Sequence, residues 1–411
     1  MKRSRKVAAL SLMTGFALVA AACGSDSTAS PATTAAPATT AATETTAATA
    51  TTAATATTAA TATTMAPEAA VCPKNLIIQT DWYPELEHGG TYQLIGPGGE
   101  TSKDTFSYSG PIQDKYKVGG IETVEIRAGG GATGFVPNST TLAQNSDITF
   151  AYINLSDIMK DSAAVPMVAV AKTLELDPQM LMWDPAQHDV QKPEDIAASG
   201  AKVFHFPGNA YIDYFISKGY MTADQSNDSY DGSDAEWVAQ SGNFFQQGFA
   251  TNEVYKYENE VNWKDGKPAP VDYYTVGDLG FPNYPAAIAM LAENVEPMTP
   301  CLKVLVPAMQ QAWVDFLADP TPINDKLIDI NTTYDTFWTL SAPLNTKGMQ
   351  LIEDGGFAAN SPDGTYCSFD PARVQTLADI LKPIYEKDGT EIAPDLTAVY
   401  TNDFCADAPG R

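Results

Sequence analysis

From residue 72 onward, short apolar runs bounded by turn residues alternate with stretches of helical period. "LII" at 76–78, residues 122–126, "ITFAYI" at 148–153, "PMVAVAKT" at 166–173 and "AKVFHF" at 201–206 read as strands. A helix is predicted over 211–219, and from residue 285 helices dominate, at 286–293, 301–317 and 371–387. In the last of these Val374, Leu377, Ile380 and Leu381 share one face, with Asp370 as N-cap and Pro371 at the first helical position. Strands alternating with helices predict an α/β fold of mostly parallel sheets flanked by helices.

Ahead of this the pattern changes. Lys2, Arg3, Arg5 and Lys6 precede an apolar run over 7–22 and then Cys23, the order of an export signal. The run is too short for a comfortable membrane span. "AAAC" at 20–23 resembles the bacterial lipobox, in which the Cys is diacylated and becomes the mature N-terminus. Residues 1–22 are therefore expected to be removed, and Cys23 to hold the chain on the extracytoplasmic face of the cell membrane by lipid. Residues 23–71 are almost all Ala and Thr, which bury too little surface to offset their ordering entropy, so they read as a disordered tether. The remaining 340 or so residues suffice for two lobes with separate cores.

Charge and cysteines narrow the function. Twenty-four basic residues stand against 50 acidic ones, a formal charge of −26, more negative by four once the signal is removed. Such a field repels nucleic acid. Cys72, Cys301, Cys367 and Cys405 form an even set in an exported chain, which predicts two disulfides with three possible connectivities. Cys301–Cys367 within the C-terminal helical region and Cys72–Cys405 across the chain ends is the favoured pairing. Neither C-x-x-C nor H-E-x-x-H is present, so no metal or other cofactor is expected. "GGGATG" at 129–134 fits G-x-G-x-x-G after the strand "VEIR", but Pro137 follows soon and no ribose-binding acid closes a second strand. It reads as a tight turn or as a loop offering backbone amides to another ligand. With three His and no G-x-S-x-G elbow, a hydrolase is excluded as well.

The loop after the first strand, "TDWYPELEHGGTY" at 80–92, concentrates aromatic and ionisable side chains at a strand C-terminal end, where α/β sheets bind ligands. That stretch is followed in order by "ITFAYINLSDIM", "PMVAVAKTLELDPQMLMW", "VFHFPGNAYIDYF", "QQGFATNEVYKYE", "YTVGDLGFPNYPAAIAM", "FDPARVQTLADIL" and "VYTNDF". Together they resemble the solute-binding proteins of the thiamine-pyrimidine-precursor family, a branch of the ABC-importer receptors, over nearly all of 72–404. The resemblance implies the two-lobed periplasmic-binding-protein fold, with the ligand cleft between lobes. Lobe I would comprise 72–165 and 285–411, lobe II 166–284, with crossings at "PMVAVA" and around Tyr284. In relatives that bind an aminopyrimidine, the Trp of the "DW" pair stacks on one ring face. An aromatic from a G-aromatic-x-x-x-E segment covers the other face, and its Glu bonds the ring's amino group. Carried across, these are Trp82, Phe249 and Glu253; Phe249 stands where some relatives have Tyr.

His88, Tyr92, Tyr152, Trp183 and Tyr211 are secondary candidates, and Gly208 and Asn209 precede a helix whose amides suit a ligand oxygen. Beyond the signal only Arg127, Arg373 and Arg411 are available to recognise an anion. A neutral or cationic aromatic heterocycle is therefore the expected ligand, a thiamine-pyrimidine precursor first and riboflavin second, delivered to an ABC-importer permease. An anion such as nitrate or a sulfonate is the alternative. Eukaryotic relatives that make the pyrimidine use clustered cysteines and a sacrificed His; the dispersed cysteines here argue against an enzyme. An envelope structural protein would suit the tether but not the two-lobed pattern.

Overall fold

The computed structural model describes residues 71–411. The expected export signal, Cys23 and the tether up to residue 70 lie outside them. Twelve strands are formed, β1 Asn75–Gln79, β2 Glu100–Ser102, β3 Ser107–Pro111, β4 Thr123–Arg127, β5 Phe150–Ile153, β6 Met167–Ala171, β7 Gln179–Trp183, β8 Val203–Phe204, β9 Ser226–Asn227, β10 Phe245–Phe249, β11 Asp272–Thr275 and β12 Ala287–Leu291. They make two sheets, ordered β2-β3-β4-β1-β5-β12-β6 and β11-β7-β10-β8-β9. The chain passes to the second sheet after Ala171 and returns before Ala287.

Two expectations about the sheets need correction. The sheets are mixed rather than mostly parallel. β1 pairs in parallel with β4 and β5, and β8 with β9 and β10, whereas six pairings among the described residues are antiparallel. The stretch 286–293, expected as a helix, is mainly strand β12, wedged antiparallel between β5 and β6. Helix propensity is a weak prior, and a fully flanked slot in a sheet overrides it. The helix begins only at Ala292 and runs to Ala318, through Pro297, Pro300 and Pro307.

The period of two along each strand divides the interior. Leu76 and Ile78 of β1, Phe150 and Tyr152 of β5, and Ile288 and Met290 of β12 face one core with the helices Ala292–Ala318 and Thr321–Tyr334. Ile77, Ala151, Ile153, Ala287 and Ala289, on the opposite face, share a second core with Leu181, Trp183 and Phe245 of the other sheet. The helices Ala210–Lys218 and Pro371–Asp388 also pack into that shared core. The latter starts as expected, with the Asp370 carboxylate accepting from Ala372 N. Met180, Met182 and Phe204 face a third core with Trp237, Tyr257 and Trp263.

The disulfides are Cys72–Cys301 and Cys367–Cys405, correcting the favoured pairing. Cys72 sits just ahead of β1, where the buried flank of Ala292–Ala318 presents Cys301. The C-terminal tail folds back locally instead of reaching the chain's start: Tyr366 N donates to Pro409 O and Phe369 N to the Asn402 side chain. Among the described residues no helix is long and apolar enough to cross a membrane.

Candidate solute-binding cleft

The chain leaving β1 is pinned before it reaches the cleft. Thr80 Oγ1 shares its one proton between Trp82 O at 2.8 Å and Arg127 O at 3.1 Å, and Gly129 N donates to Trp82 O at 3.0 Å. The glycine run at 129–134 thereby acquires a purpose. Gly130 has φ 56°, and a Cβ there would lie 2.1 Å from Trp82 Cε3. The bare backbone is a platform for the indole, and the run serves a side chain rather than a nucleotide. Further along, the 3-10 turn Leu86–His88 and the helix Gly89–Gln93 are held down where Gly89 and Gly90 admit the rings of Phe316 and Trp313.

Between the two sheets these segments enclose a cavity of about 280 Å³. Its first-sheet wall includes Asp81, Trp82, Glu85, Phe135, Tyr152 and Asp157; facing them are Gln179, Phe206, Asn209, Gln247, Phe249 and Glu253. Trp82 touches Phe206 across the gap, with ring centroids 5.1 Å apart, and Trp338 edge-on at 5.5 Å. Phe135 stacks on Phe206 at 5.8 Å and holds φ 62°, a left-handed backbone rare for an aromatic residue.

Electrostatically the cleft is acidic. Asp81, Glu85, Asp157, Asp161 and Glu253 line it, with Lys160 as the lining's single Lys or Arg. Lys160 is already committed, at 2.8 Å to Asp213 and 3.1 Å to Gly208 O. Glu253 Oε2 accepts from Phe249 N at 2.7 Å, yet burial pushes its carboxyl up to about 7. Asp157 accepts from Asn154 Nδ2 at 2.9 Å and, across the gap, from Ala210 N at 3.2 Å; burial raises it to about 6. Burial also drives Glu85 well above the usual carboxylate range, helped by Glu87, Asp81 and Glu253.

Of the sequence candidates, Trp82, Tyr152, Gly208, Asn209, Phe249 and Glu253 line this one cleft. His88 lies just beneath its floor, fully buried, with Nε2 2.7 Å from Asp81 Oδ1. Tyr211 acts one step back, its hydroxyl donating to Gln247 Oε1 at 2.9 Å. Tyr92 and Trp183 do not line the cleft. Tyr92 packs on Tyr108 in the first core, and Trp183 between Phe245 and Tyr274. Besides Trp338, the rings of Phe135 and Phe206 lie against Trp82, while Phe249 lines the cleft without touching it. Sequence reasoning missed Phe135, Phe206, Asp157 and Gln247. The position of Phe206 just after strand β8, in "VFHFPGNAY", was a usable signal. Gln247 gave none, although its Oε1 also gathers Phe206 N at 2.7 Å and Asn209 Nδ2 at 3.1 Å.

No protein-family model matches the chain, and no curated protein does. Solved structures do match. The periplasmic aliphatic sulphonate binding protein SsuA from Escherichia coli aligns with TM-score 0.53 and 11% identity over 83% of this chain and 95% of that one. A protein from Bordetella bronchiseptica RB50 gives 0.53 and 12%, over 81% and 96%. The chain has the periplasmic-binding-protein fold. The alkanesulfonate-binding protein SsuA from Xanthomonas axonopodis pv. citri, bound to MOPS, agrees at 0.51 and 9%, over 80% and 98%. At such identities the likeness concerns architecture alone.

Proposed function

We propose that this chain is an extracytoplasmic solute-binding lipoprotein that captures a small aromatic heterocycle, cationic or rich in ring-edge donors, and delivers it to an ABC-importer permease. A thiamine-pyrimidine precursor is the favoured solute. The observation that carries this reading is the cleft's lining: aromatic rings beside five carboxylates, with one lysine already paired. Flat rings are held by aromatic faces, and carboxylates accept from ring amines. In this reading lobe I (72–165 and 285–411) and lobe II (166–284) close on the solute, and Cys23 carries the lipid that keeps the receptor near its permease. Binding without turnover is the chemistry such a lining supports.

The sulfonate ligands of the structural neighbours favour a second reading, an anion receptor. Mass spectrometry of small molecules released from purified protein, followed by calorimetry with the molecule found, separates the two. A basic heterocycle whose affinity falls in Glu253→Gln supports the proposal. A sulfonate or nitrate, bound equally well or better by that variant, replaces it with the anion reading.

A further inference from the structure

We infer that the floor of the cleft is a divalent transition-metal site formed by Asp81, Glu85 and His88. The three side chains come from eight consecutive residues, and their ligand atoms lie within 4.8 Å of one another. His88 Nε2 is 2.7 Å from Asp81 Oδ1 and 3.7 Å from Glu85 Oε1. Among the described residues no other group of three such ligands gathers so closely.

Three features go beyond a cluster of acids. One ligand is an imidazole, fully buried, whose Nδ1 has no hydrogen-bond partner, so its polar contact runs through Nε2, the atom aimed at the two carboxylates. The charges match once binding displaces the Glu85 proton: two carboxylates and one neutral imidazole balance a 2+ ion. Access matches too, because Asp81 and Glu85 both line the cavity, leaving coordination positions open to water or solute, as in zinc sites that do more than hold a fold. The mixed nitrogen and oxygen set suits Zn²⁺, Mn²⁺, Fe²⁺ or Co²⁺ rather than Ca²⁺ or Mg²⁺. Binding at Nε2 leaves the imidazole proton on the unpartnered Nδ1, so the site is expected to be about 10–100-fold weaker than one whose His has an outer hydrogen bond. The loop is rigid enough to hold the geometry, since Gly89 and Gly90 seat it against Phe316 and Trp313. As a contact for solute the metal rests on the receptor reading above; its capacity to hold an ion does not.

The test uses the full chain, stripped with a chelator and desalted, and titrated with Zn²⁺ or Mn²⁺ alone by calorimetry, with bound metal counted by elemental mass spectrometry. One equivalent is expected, weakened about a hundredfold in Asp81→Asn and in His88→Gln, and unchanged in the surface variant Glu122→Gln. Asp81→Asn is isosteric and only partly buried, so it reports binding even where His88→Gln misfolds. No bound metal at millimolar ion, or binding that Asp81→Asn leaves intact, overturns the site. Repeating the solute titration on stripped protein keeps the two readings apart. Solute binding without metal binding removes this inference alone, and metal binding with no solute removes the receptor alone.

Discussion

In the proposed receptor, Glu253 is the residue on which recognition turns. Its carboxyl is lifted from 4.5 to about 7 by burial, so near neutral pH it is poised between an acid and an acceptor. A cationic ring edge needs the ionised form. Affinity for such a solute should rise between pH 6 and pH 8, and the rise should vanish in Glu253→Gln; calorimetry at three pH values reads it directly. The same shift has the opposite sign for folding. A carboxyl held protonated above its unfolded value contributes stability that is complete below about 4.5 and lost as pH rises through about 7. Without ligand, wild type should therefore lose about 3 kcal/mol relative to Glu253→Gln across that window. Denaturation midpoints that run parallel for the two proteins would show the carboxyl is not buried as described. Trp82→Ala removes a ring touching both walls and should weaken solute binding by about 2 kcal/mol or more, again by calorimetry. At this scale the sequence was partly legible. Trp82 and Glu253, taken from the resemblance, and Asn209, taken from its place before a helix, do line the cleft. Tyr92 and Trp183 were misplaced because an aromatic beside a strand announces burial but not which face it is buried on.

Elements explain how those residues are held, and here the glycine loop gives the sharpest test. Gly130→Ala puts a Cβ into the Trp82 ring at a left-handed φ, so the indole must move. Solute affinity should fall at least tenfold. Gly134→Ala is the matched control: its φ is 66°, but nothing lies within 4 Å of the added Cβ. It should cost about 1–2 kcal/mol of stability from backbone strain alone and leave affinity intact. Equal loss of binding in both variants would mean that loop strain, not the indole platform, is what matters. The strands β1 and β5 were readable because runs such as "LII" and "FAYI" are apolar on both faces. β12 was not, because "AAIAML" satisfies helix propensity locally, and only its position between β5 and β6 makes it a strand. Disulfide pairing was out of reach for a related reason: it depends on which helix flank passes the start of β1, a fact of packing and not of spacing. Removing either bridge should cost about 2–5 kcal/mol, measurable by chemical denaturation.

For the whole molecule the decisive property is its field. Fifty acidic residues against 24 basic ones make the surroundings negative, and the cleft's own acids add to that sign as they ionise, although burial holds Glu85, Asp157 and Glu253 back. A cleft with low-dielectric walls and one sign of charge concentrates solutes of the opposite sign and raises their rate of entry. The two sides of the cleft are joined by Thr251 Oγ1 donating to the buried Glu87 and by Asp157 accepting from Ala210 N, contacts that do not involve the solute. Salt therefore distinguishes entry from retention. Raising ionic strength from about 0.01 to 0.15 M shortens the screening length from roughly 30 to 8 Å. For a cationic heterocycle this should slow association several-fold in stopped-flow fluorescence while changing dissociation little. For a neutral heterocycle both rates should stay flat. For a sulfonate, association should quicken with salt, since the repulsion it must cross is screened. That third result, with the acids intact, would mean the cleft admits anions against its own field, and the receptor reading would have to be rebuilt around a neutralising partner for those carboxylates.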